Sequence, residues 1–330
     1  MAQVETVNVS FWQRLGRRAR HGDTVFFGMT VFFALVVIGL VFAIGVVVYT
    51  GSALARQKFG LSFLGGTDWN PVDTDAGPAT FGAWPAVYGT LVSAAIAVLL
   101  AAPIGIGIGI FLAELCPRWL RTPLPFTVEL LAAIPSVIYG LWGVVIFAPF
   151  FRDVVAKPVS RTLGELIPQL SGPVAVGRGI MVAGVVLAIM VLPTIAAITR
   201  DVLAVVPRTQ REVMLALGAT RWEVIWQAVL PYARAGIIGG VMLGLGRALG
   251  ETIAATMLIG NSQRMSESLF APGVTAASLV ASELTNANSA LHESALIEIA
   301  LVLFGITLIL NLFARLLVWQ VSRGPAGARI

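Results

Sequence analysis

Six long apolar stretches are the feature that most constrains how this chain can fold. A helix rises 1.5 Å per residue, so about 20 apolar residues cross the roughly 30 Å hydrocarbon layer of a membrane. Hydrophobic residues make up 57% of the sequence and charged residues only 12%, too few for a water-exposed surface. We therefore expect an all-α integral membrane protein with six transmembrane helices. The expected spans are residues 25–49, 86–113, 124–151, 180–199, 235–260 and 296–319.

Positive charge is distributed unevenly around these spans, and the distribution predicts their orientation. Chain ends and loops alternate between the two sides of the membrane, and one side holds 14 of the 22 Arg and Lys residues while the other holds 7. The side with the larger share, which includes both termini, is expected to be cytoplasmic by the positive-inside rule. The remaining basic residue, Arg247, falls inside the fifth expected span and needs a separate explanation.

The sequence lacks the residues that several kinds of chemistry require. The single cysteine, Cys116, excludes an internal disulfide, and the two histidines, His21 and His292, lie too far apart to suggest a zinc pair. A nucleotide-binding P-loop needs Gly-x-x-x-x-Gly-Lys-Ser/Thr, and neither lysine, Lys58 or Lys157, lies in such a motif. We therefore predict no catalytic residue, no metal site and no cofactor bound by this chain.

Residues 207–231 form a polar loop that carries two helix-start signals. Thr209 with Glu212, and Thr220 with Glu223, have the spacing of a capping box, in which a hydroxyl and a carboxylate satisfy unpaired N–H groups at a helix start. The loop is therefore predicted to contain two short helices at the membrane surface.

A glycine and a proline are predicted to end these two helices. Gly218 can adopt the left-handed conformation that ends the first helix, and Pro231 is expected to end the second. The exposed face of such a hairpin suits docking into a groove on a soluble partner. The residues expected on that face are Arg211, Glu212, Met214, Leu217, Arg221, Trp222, Glu223 and Trp226.

Five residues of this loop carry a family resemblance. They are Glu212, Ala216, Gly218, Leu230 and Pro231. Their spacing resembles the EAA loop of binding-protein-dependent ABC importer permeases. The sequence departs from the family pattern where Val213 and Met214 replace alanines and Ala228 replaces isoleucine. The resemblance implies that Thr209, Glu212, Ala216, Gly218, Thr220 and Glu223 couple this chain to an ATPase.

Segments outside the loop narrow the resemblance to one branch of that family. Residues 63–91, 129–140 and 247–252 are similar, in the same order, to PstC-type permeases of phosphate importers. The resemblance implies a type I ABC importer permease fold in a bacterial cell membrane. It also implies three partners: a homologous second permease, a cytoplasmic ABC ATPase expected to be a dimer, and an extracytoplasmic phosphate-binding protein. ATP and Mg²⁺ would bind to the ATPase.

This resemblance divides the chain into four segments. Residues 1–24 form a cytoplasmic segment, and residues 25–83 the first transmembrane helix with an outer loop. Residues 84–319 form the permease core, which has five transmembrane helices and the loop 207–231, and residues 320–330 form a cytoplasmic tail.

Arg247, Glu251 and Thr252 are the expected residues of the substrate pathway. Arg247 and Glu251 are four residues apart, so one helix would bring them to the same face, where they could form an ion pair. An unassisted Arg at mid-membrane costs about 2.5–3.5 kcal/mol, which implies a partner or a polar route. The pair could simply lock the helix in the bundle. Alternatively, the guanidinium could meet a tetrahedral oxyanion, whose oxygens suit its fork of donors.

Two other functions stay open at this point. One is an ABC permease for a different oxyanion, sulfate or molybdate. The other is an ion-coupled secondary anion transporter with Glu251 as a proton carrier, which paired broken helices at mid-membrane would favour. No such pair of breaks is evident in the sequence.

Two further expectations concern helix contacts. Small residues let transmembrane helices approach closely, and this explains the glycines in two of the expected spans. These glycines are Gly105, Gly107, Gly109, Gly236, Gly240 and Gly244. Glu129, near one end of the third expected span, is expected to snorkel to the headgroup region or to pair with Arg118 or Arg121.

Overall fold

The computed structural model describes residues 23–72, 78–172 and 177–322. Within these ranges the secondary structure is helical, with isolated bridges but no strands. Six of the described helices are, by length and composition, long and apolar enough to cross a membrane. The basic residues that precede the first span lie outside the described residues. The all-α, six-span fold class predicted from the sequence is confirmed.

The described part of the chain contains two short 3-10 helices, Pro168–Leu170 and Leu284–Asn286, and twelve other helices, which are numbered here in chain order. They are α1 (Asp23–Gly51), α2 (Ala53–Phe59), α3 (Ser62–Gly65), α4 (Trp84–Leu115), α5 (Pro123–Ala132), α6 (Ser136–Thr162), α7 (Ile180–Ala204), α8 (Arg208–Ala216), α9 (Arg221–Leu249), α10 (Ile253–Leu258), α11 (Ala276–Glu283) and α12 (Ala290–Ser322). Helices α4, α6 and α9 contain π-helical turns. The chain divides at Gly51 into two units, of which α1 belongs to the first and α2 to α12 form the second. The four-segment division expected from the sequence stays a prediction.

The third span starts later than predicted because a proline breaks the helix. The expected span 124–151 is divided into α5, which ends at Ala132, and α6, which starts at Ser136. Pro135 has an extended ψ of 139°, and its ring disfavours helical geometry at the residue before it. The membrane span is therefore Ser136–Thr162.

The fifth span is also displaced, here toward the N-terminus. Helix α9 begins at Arg221, passes through Pro231 without ending, and stops at Leu249, so the expected span 235–260 and the helix end at Pro231 are both wrong. The π-helical turn Ile225–Val229 leads directly into the segment that carries Pro231 near its start. That position tolerates proline because its missing N–H is not needed at the start of a helical segment.

Helix α7 is the central helix of the second unit. In its most apolar window 67% of the residues are buried, against 17–28% in the other four spans of that unit. It packs on α4 where an added Cβ at Gly105 or Gly109 would approach Ile195 or Thr199 within 3.0 Å. Helix α9 meets it in the same way through the predicted series Gly236, Gly240 and Gly244. Gly107 faces open space, so only part of the first glycine series is a helix contact.

Two smaller apolar clusters lie at opposite ends of α4. The first surrounds the start of α4 and includes residues of α2, α11 and the beginning of α12, with Trp69 and Phe81 between them. The second surrounds the end of α4 and joins it to the end of α7, to α8 and to the start of α9. Each cluster holds one group of connecting segments against the bundle.

Candidate functional site

The loop between α7 and α9 contains one short helix that ends as the sequence predicts. Gly218 has a φ of 86°, and its N–H donates to Leu215 O at 3.0 Å. The N–H of Ala219 donates to Met214 O at 3.1 Å. This pair of hydrogen bonds is the Schellman motif, and Met214 and Ala219 both pack on the apolar cluster beneath it. The end of α8 is therefore fixed by its backbone and by burial.

One of the two predicted capping boxes is present. Thr220 precedes α9, its Oγ1 accepts from Glu223 N–H at 3.3 Å, and Glu223 Oε2 accepts from Thr220 N–H at 2.7 Å. The predicted box of Thr209 with Glu212 is wrong, because α8 starts at Arg208 directly after Pro207 and Thr209 is already its second residue. A hydroxyl inside the helix cannot cap the helix start.

An arginine of this loop is turned inward. The Arg211 guanidinium donates to both oxygens of Glu114, which is in the last turn of α4, with Nη2 and Oε1 only 2.5 Å apart. It also donates to the carbonyl oxygens of Leu203 and Val206 at the end of α7. Arg211 was expected on the docking face, and the structure instead makes it an anchor that ties α8 to two membrane helices.

The remaining residues of the loop leave a mixed apolar and charged surface. Glu212 is exposed and forms no hydrogen bond or ion pair within the described residues, and Ala216 and Gly218 are exposed beside it. Trp222 and Trp226 contact each other edge to face, with ring centroids 5.5 Å apart, and both are more than half exposed. We use the name α8–α9 surface for these five residues. Met214, which was expected there, is half-buried against the bundle.

We expect removal of the Arg211 anchor to destabilise the chain. In Arg211→Met the Glu114 carboxylate loses its partner, and breaking a largely buried pair costs about 3 kcal/mol. The measurement is the apparent melting temperature of the detergent-purified chain, which should fall. The double variant with Glu114→Leu should recover much of the loss, because neither charge is left unpaired.

The control for that experiment is Arg221→Met, which removes an exposed arginine without an ion pair in the described ranges. It should melt like the parent chain. An equal loss in Arg221→Met, or no recovery in the double variant, would contradict an ion-pair role for Arg211.

Arg247 lies at the end of α9, where the fifth span breaks. It is two residues before the last residue of the helix, it is exposed, and it makes no hydrogen bond or ion pair with any described residue. Its positive charge acts on the hydroxyl group of Tyr139, which in turn donates to Leu131 O at 2.9 Å. The structure therefore leaves the Arg247 guanidinium available at the end of α9, without an ion-pair partner among the described residues.

Glu251 and Thr252 occupy the break between α9 and α10. The Oε1 atom of Glu251 accepts from the N–H of Ala254 at 3.2 Å, which caps the start of α10, and Thr252 Oγ1 donates to Gly250 O at 3.3 Å. The expected ion pair with Arg247 is absent from the described residues. The reason is that the helix ends at Leu249, so the four-residue spacing no longer defines one face.

The two breaks of the bundle lie close together. Helix α6 follows the first break and α10 follows the second, and the two pack where an added Cβ at Gly140 would lie 2.7 Å from the Met257 sulfur and 3.2 Å from Ala254 Cα. Both breaks lie at the ends of membrane spans, before Ser136–Thr162 and after Arg221–Leu249, so the expectation that the chain lacks paired breaks at mid-membrane stays a prediction. These two breaks are not evident in the sequence because each lies inside an unbroken apolar stretch.

Glu129 pairs differently from the expectation. Its Oε1 atom lies 3.0 Å from Arg200 Nη2 at the end of α7, and neither Arg118 nor Arg121 takes part. Arg200 also contacts Asp201 at 2.6 Å. The sequence offered no signal for this pair or for the Arg211–Glu114 pair, because both join residues distant in the chain.

Comparisons with known proteins agree with this arrangement. The family model of the binding-protein-dependent transport system inner membrane component matches residues 105–323. The phosphate transport system permease protein PstC of Pasteurella multocida is 46% identical over 80% of this chain and 82% of its own length. The protein of the same name from Mesorhizobium japonicum is 46% identical over 83% of both chains.

A solved structure supports the fold independently. A chain of the MetNI methionine ABC transporter in an inward-facing conformation superimposes with a TM-score of 0.54 at 18% identity, and the alignment covers 72% of this chain and 95% of that one. At 18% identity, this structural similarity supports a shared fold and nothing further. From the family match and the curated relatives together, the chain belongs to the binding-protein-dependent transport system inner membrane components, within their PstC permease group.

Proposed function

We propose that this chain is the permease subunit of an ATP-driven importer of inorganic phosphate. The observation that carries the proposal is the 46% identity, over 80% of the chain, to a relative named as a phosphate transport system permease. The family description supports a membrane component that works with a separate binding protein. On this proposal the chain transports its substrate without changing it, and a homologous second permease completes the route.

The orientation follows from the same proposal. The α8–α9 surface would face the cytoplasm, with both chain ends on that side, as the distribution of Arg and Lys favours. It would dock an ABC ATPase, which binds ATP and Mg²⁺. Trp222 and Trp226 are exposed, and the carboxylate of Glu212 has no partner among the described residues. These features support the role, because a protein interface combines aromatic anchors with charges at the rim.

The substrate route would pass the break between α9 and α10. Arg247 supports this because a cation inside a membrane protein needs an anionic partner, and none of the described residues supplies one. Its planar fork of donors suits the oxygens of a tetrahedral anion. Phosphate that retains a proton could also donate to the free oxygen of Glu251, whereas fully ionised sulfate has no proton to donate. Thr252 would line the same part of the route.

Reconstitution tests this function. The chain is assembled in liposomes with a PstC-system second permease, ATPase and phosphate-binding protein. We expect ATP-dependent uptake of phosphate that an excess of sulfate does not inhibit. ATP-dependent uptake of sulfate or molybdate in place of phosphate would assign a different oxyanion, and uptake driven by an ion gradient without ATP would contradict the proposal.

A further inference from the structure

Glu283, the last residue of α11, joins three separate segments of the chain. Its carboxylate accepts a hydrogen bond from Trp69 Nε1 at 2.9 Å, one from His292 Nε2 at 3.1 Å, and one from Gln263 Nε2. Trp69 belongs to the segment before α4, Gln263 follows α10, and His292 is in the first turn of α12. One side chain therefore links these three segments, in addition to the backbone hydrogen bonds that join Ser262 and Ile259 to Gly273.

The surroundings of this carboxylate make it a strong acceptor. His292 and Trp69 are only 3% and 8% exposed, and His292 stacks on Phe81 with ring centroids 5.4 Å apart. The Nδ1 atom of His292 accepts the N–H of Asn288 at 3.4 Å, which assigns the ring proton to Nε2, facing Glu283. Hydrogen bonds to a charged group in such a shielded place are stronger than those at a surface.

The segment held by Gln263 leads directly back to the proposed substrate route. From the break at Thr252 the chain forms α10 and then turns at Gly260 and Asn261, both of which have positive φ. Asn261 is the one non-glycine residue with positive φ in the described ranges, and its Nδ2 donates to Thr256 O at 2.9 Å. A non-glycine residue keeps this conformation when the surrounding structure holds it there.

The other end of α11 is attached to α4. The N–H of Ala276 donates to Thr90 Oγ1 at 2.9 Å, and an added Cβ at Gly89 would lie 2.0 Å from Val274 O. Helix α11 is thus fixed to the bundle at its start, and it presents Glu283 at its end as a fixed point. The turn after α10 is held to this point through Gln263.

We propose that Glu283 is a positioning residue that keeps α10 in place and thereby holds the route closed at the end remote from the α8–α9 surface. This inference rests on the proposed transport function, because the route that is held closed is the proposed substrate route. It assigns that closure to one charged group outside the substrate site. Loss of the carboxylate removes the side-chain hydrogen bond at Gln263. The turn at residues 260–263 then keeps its hydrogen bonds to Gly273 and Thr256, and α10 moves more easily relative to Arg247.

The first test compares Glu283→Gln with Glu267→Gln in the reconstituted transporter. Glutamine has the same shape, but its NH₂ group replaces one of the two accepting oxygens, so it cannot keep the hydrogen bonds to Trp69 and His292 on one oxygen and to Gln263 on the other. Glu267 is an exposed residue of the same connecting segment without a hydrogen bond in the described ranges, so it is the matched control. We expect Glu283→Gln to raise ATP hydrolysis in the absence of binding protein by about tenfold, the effect of losing one hydrogen bond to a charged group.

A merely structural role would give a different result. It would lower the amount of assembled transporter and reduce all activities in proportion, without raising hydrolysis that is independent of the binding protein. Unchanged basal hydrolysis in fully assembled Glu283→Gln would overturn the proposal.

The second test does not depend on transport. Thr256→Cys places a thiol on α10, and a membrane-impermeant thiol reagent is applied to the purified chain, with the buried Cys116 of the parent as background. Adding Glu283→Gln should raise the labelling rate about tenfold, while adding Glu267→Gln should leave it unchanged. Equal rates in the two backgrounds would refute the positioning role, even if phosphate uptake is demonstrated. A failure of phosphate uptake in the parent transporter would leave this labelling result valid.

Discussion

Arg247→Ala is expected to reduce phosphate uptake by about 30-fold or more while the transporter still assembles. Removing one partner of a desolvated charge pair costs about 2 kcal/mol or more, and on our proposal the partner here is the substrate itself. Assembly should survive because Arg247 is exposed and pairs with none of the described residues. The measurement is the initial rate of phosphate uptake into liposomes, normalised to the amount of assembled complex.

Two variants make that result specific. Arg315→Ala removes another exposed arginine of the membrane spans, which has no ion pair in the described chain, and it should transport normally. Arg247→Lys should stay well below the parent rate, because a point charge replaces a fork of donors. Normal uptake in Arg247→Ala would give the residue a structural role.

The number and rough position of the spans could be predicted from the sequence because mean hydropathy depends only on composition. The expected spans 86–113 and 180–199 lie within α4 and α7. The third and fifth spans were misplaced because hydropathy does not register a backbone break. Ala133, Ile134 and Pro135 are as apolar as their neighbours, and the polar pair Glu251 and Thr252 is too short to interrupt an apolar window.

In the candidate site, contacts between residues close together in the sequence could be predicted, and contacts between distant residues could not. The Schellman motif at Gly218 and the capping box at Thr220 involve residues at most five positions apart, so their spacing predicts them. The inward turn of Arg211 could not be predicted, because its partner Glu114 is 97 residues away. No residue spacing indicates that contact without the packing of α4, α7 and α8.

The helix breaks also change the chemistry expected at Arg247. A continuous helix would have placed Glu251 one turn away, where the two charges would largely neutralise each other. In the structure Glu251 instead caps α10 with one oxygen, and Arg247 has no ion pair with any described residue. The observed geometry therefore favours anion binding more strongly than the expected ion pair did.

Gly218→Val is expected to uncouple ATP hydrolysis from transport. Gly218 has a φ of 86°, which costs about 1–2 kcal/mol for a residue with a Cβ atom and more for a β-branched one. Such a cost lowers the population of the native turn by a factor of about 5 to 30. The end of α8 would then move relative to Trp222 and Trp226, and the proposed ATPase dock would lose its shape. The measurement is the ratio of phosphate transported to ATP hydrolysed, which should fall.

The cause of this loss can be isolated because an added Cβ at Gly218 meets no atom within 4 Å. A clash of the Cβ atom within this chain is therefore excluded, which leaves the backbone angle as the cause inside the chain. Gly218→Asn is the matched control, since asparagine adds a side chain of similar size but adopts positive φ more readily. It should keep most of the coupling. Wild-type coupling in Gly218→Val, or an equal loss in Gly218→Asn, would show that the left-handed turn is not what positions the α8–α9 surface.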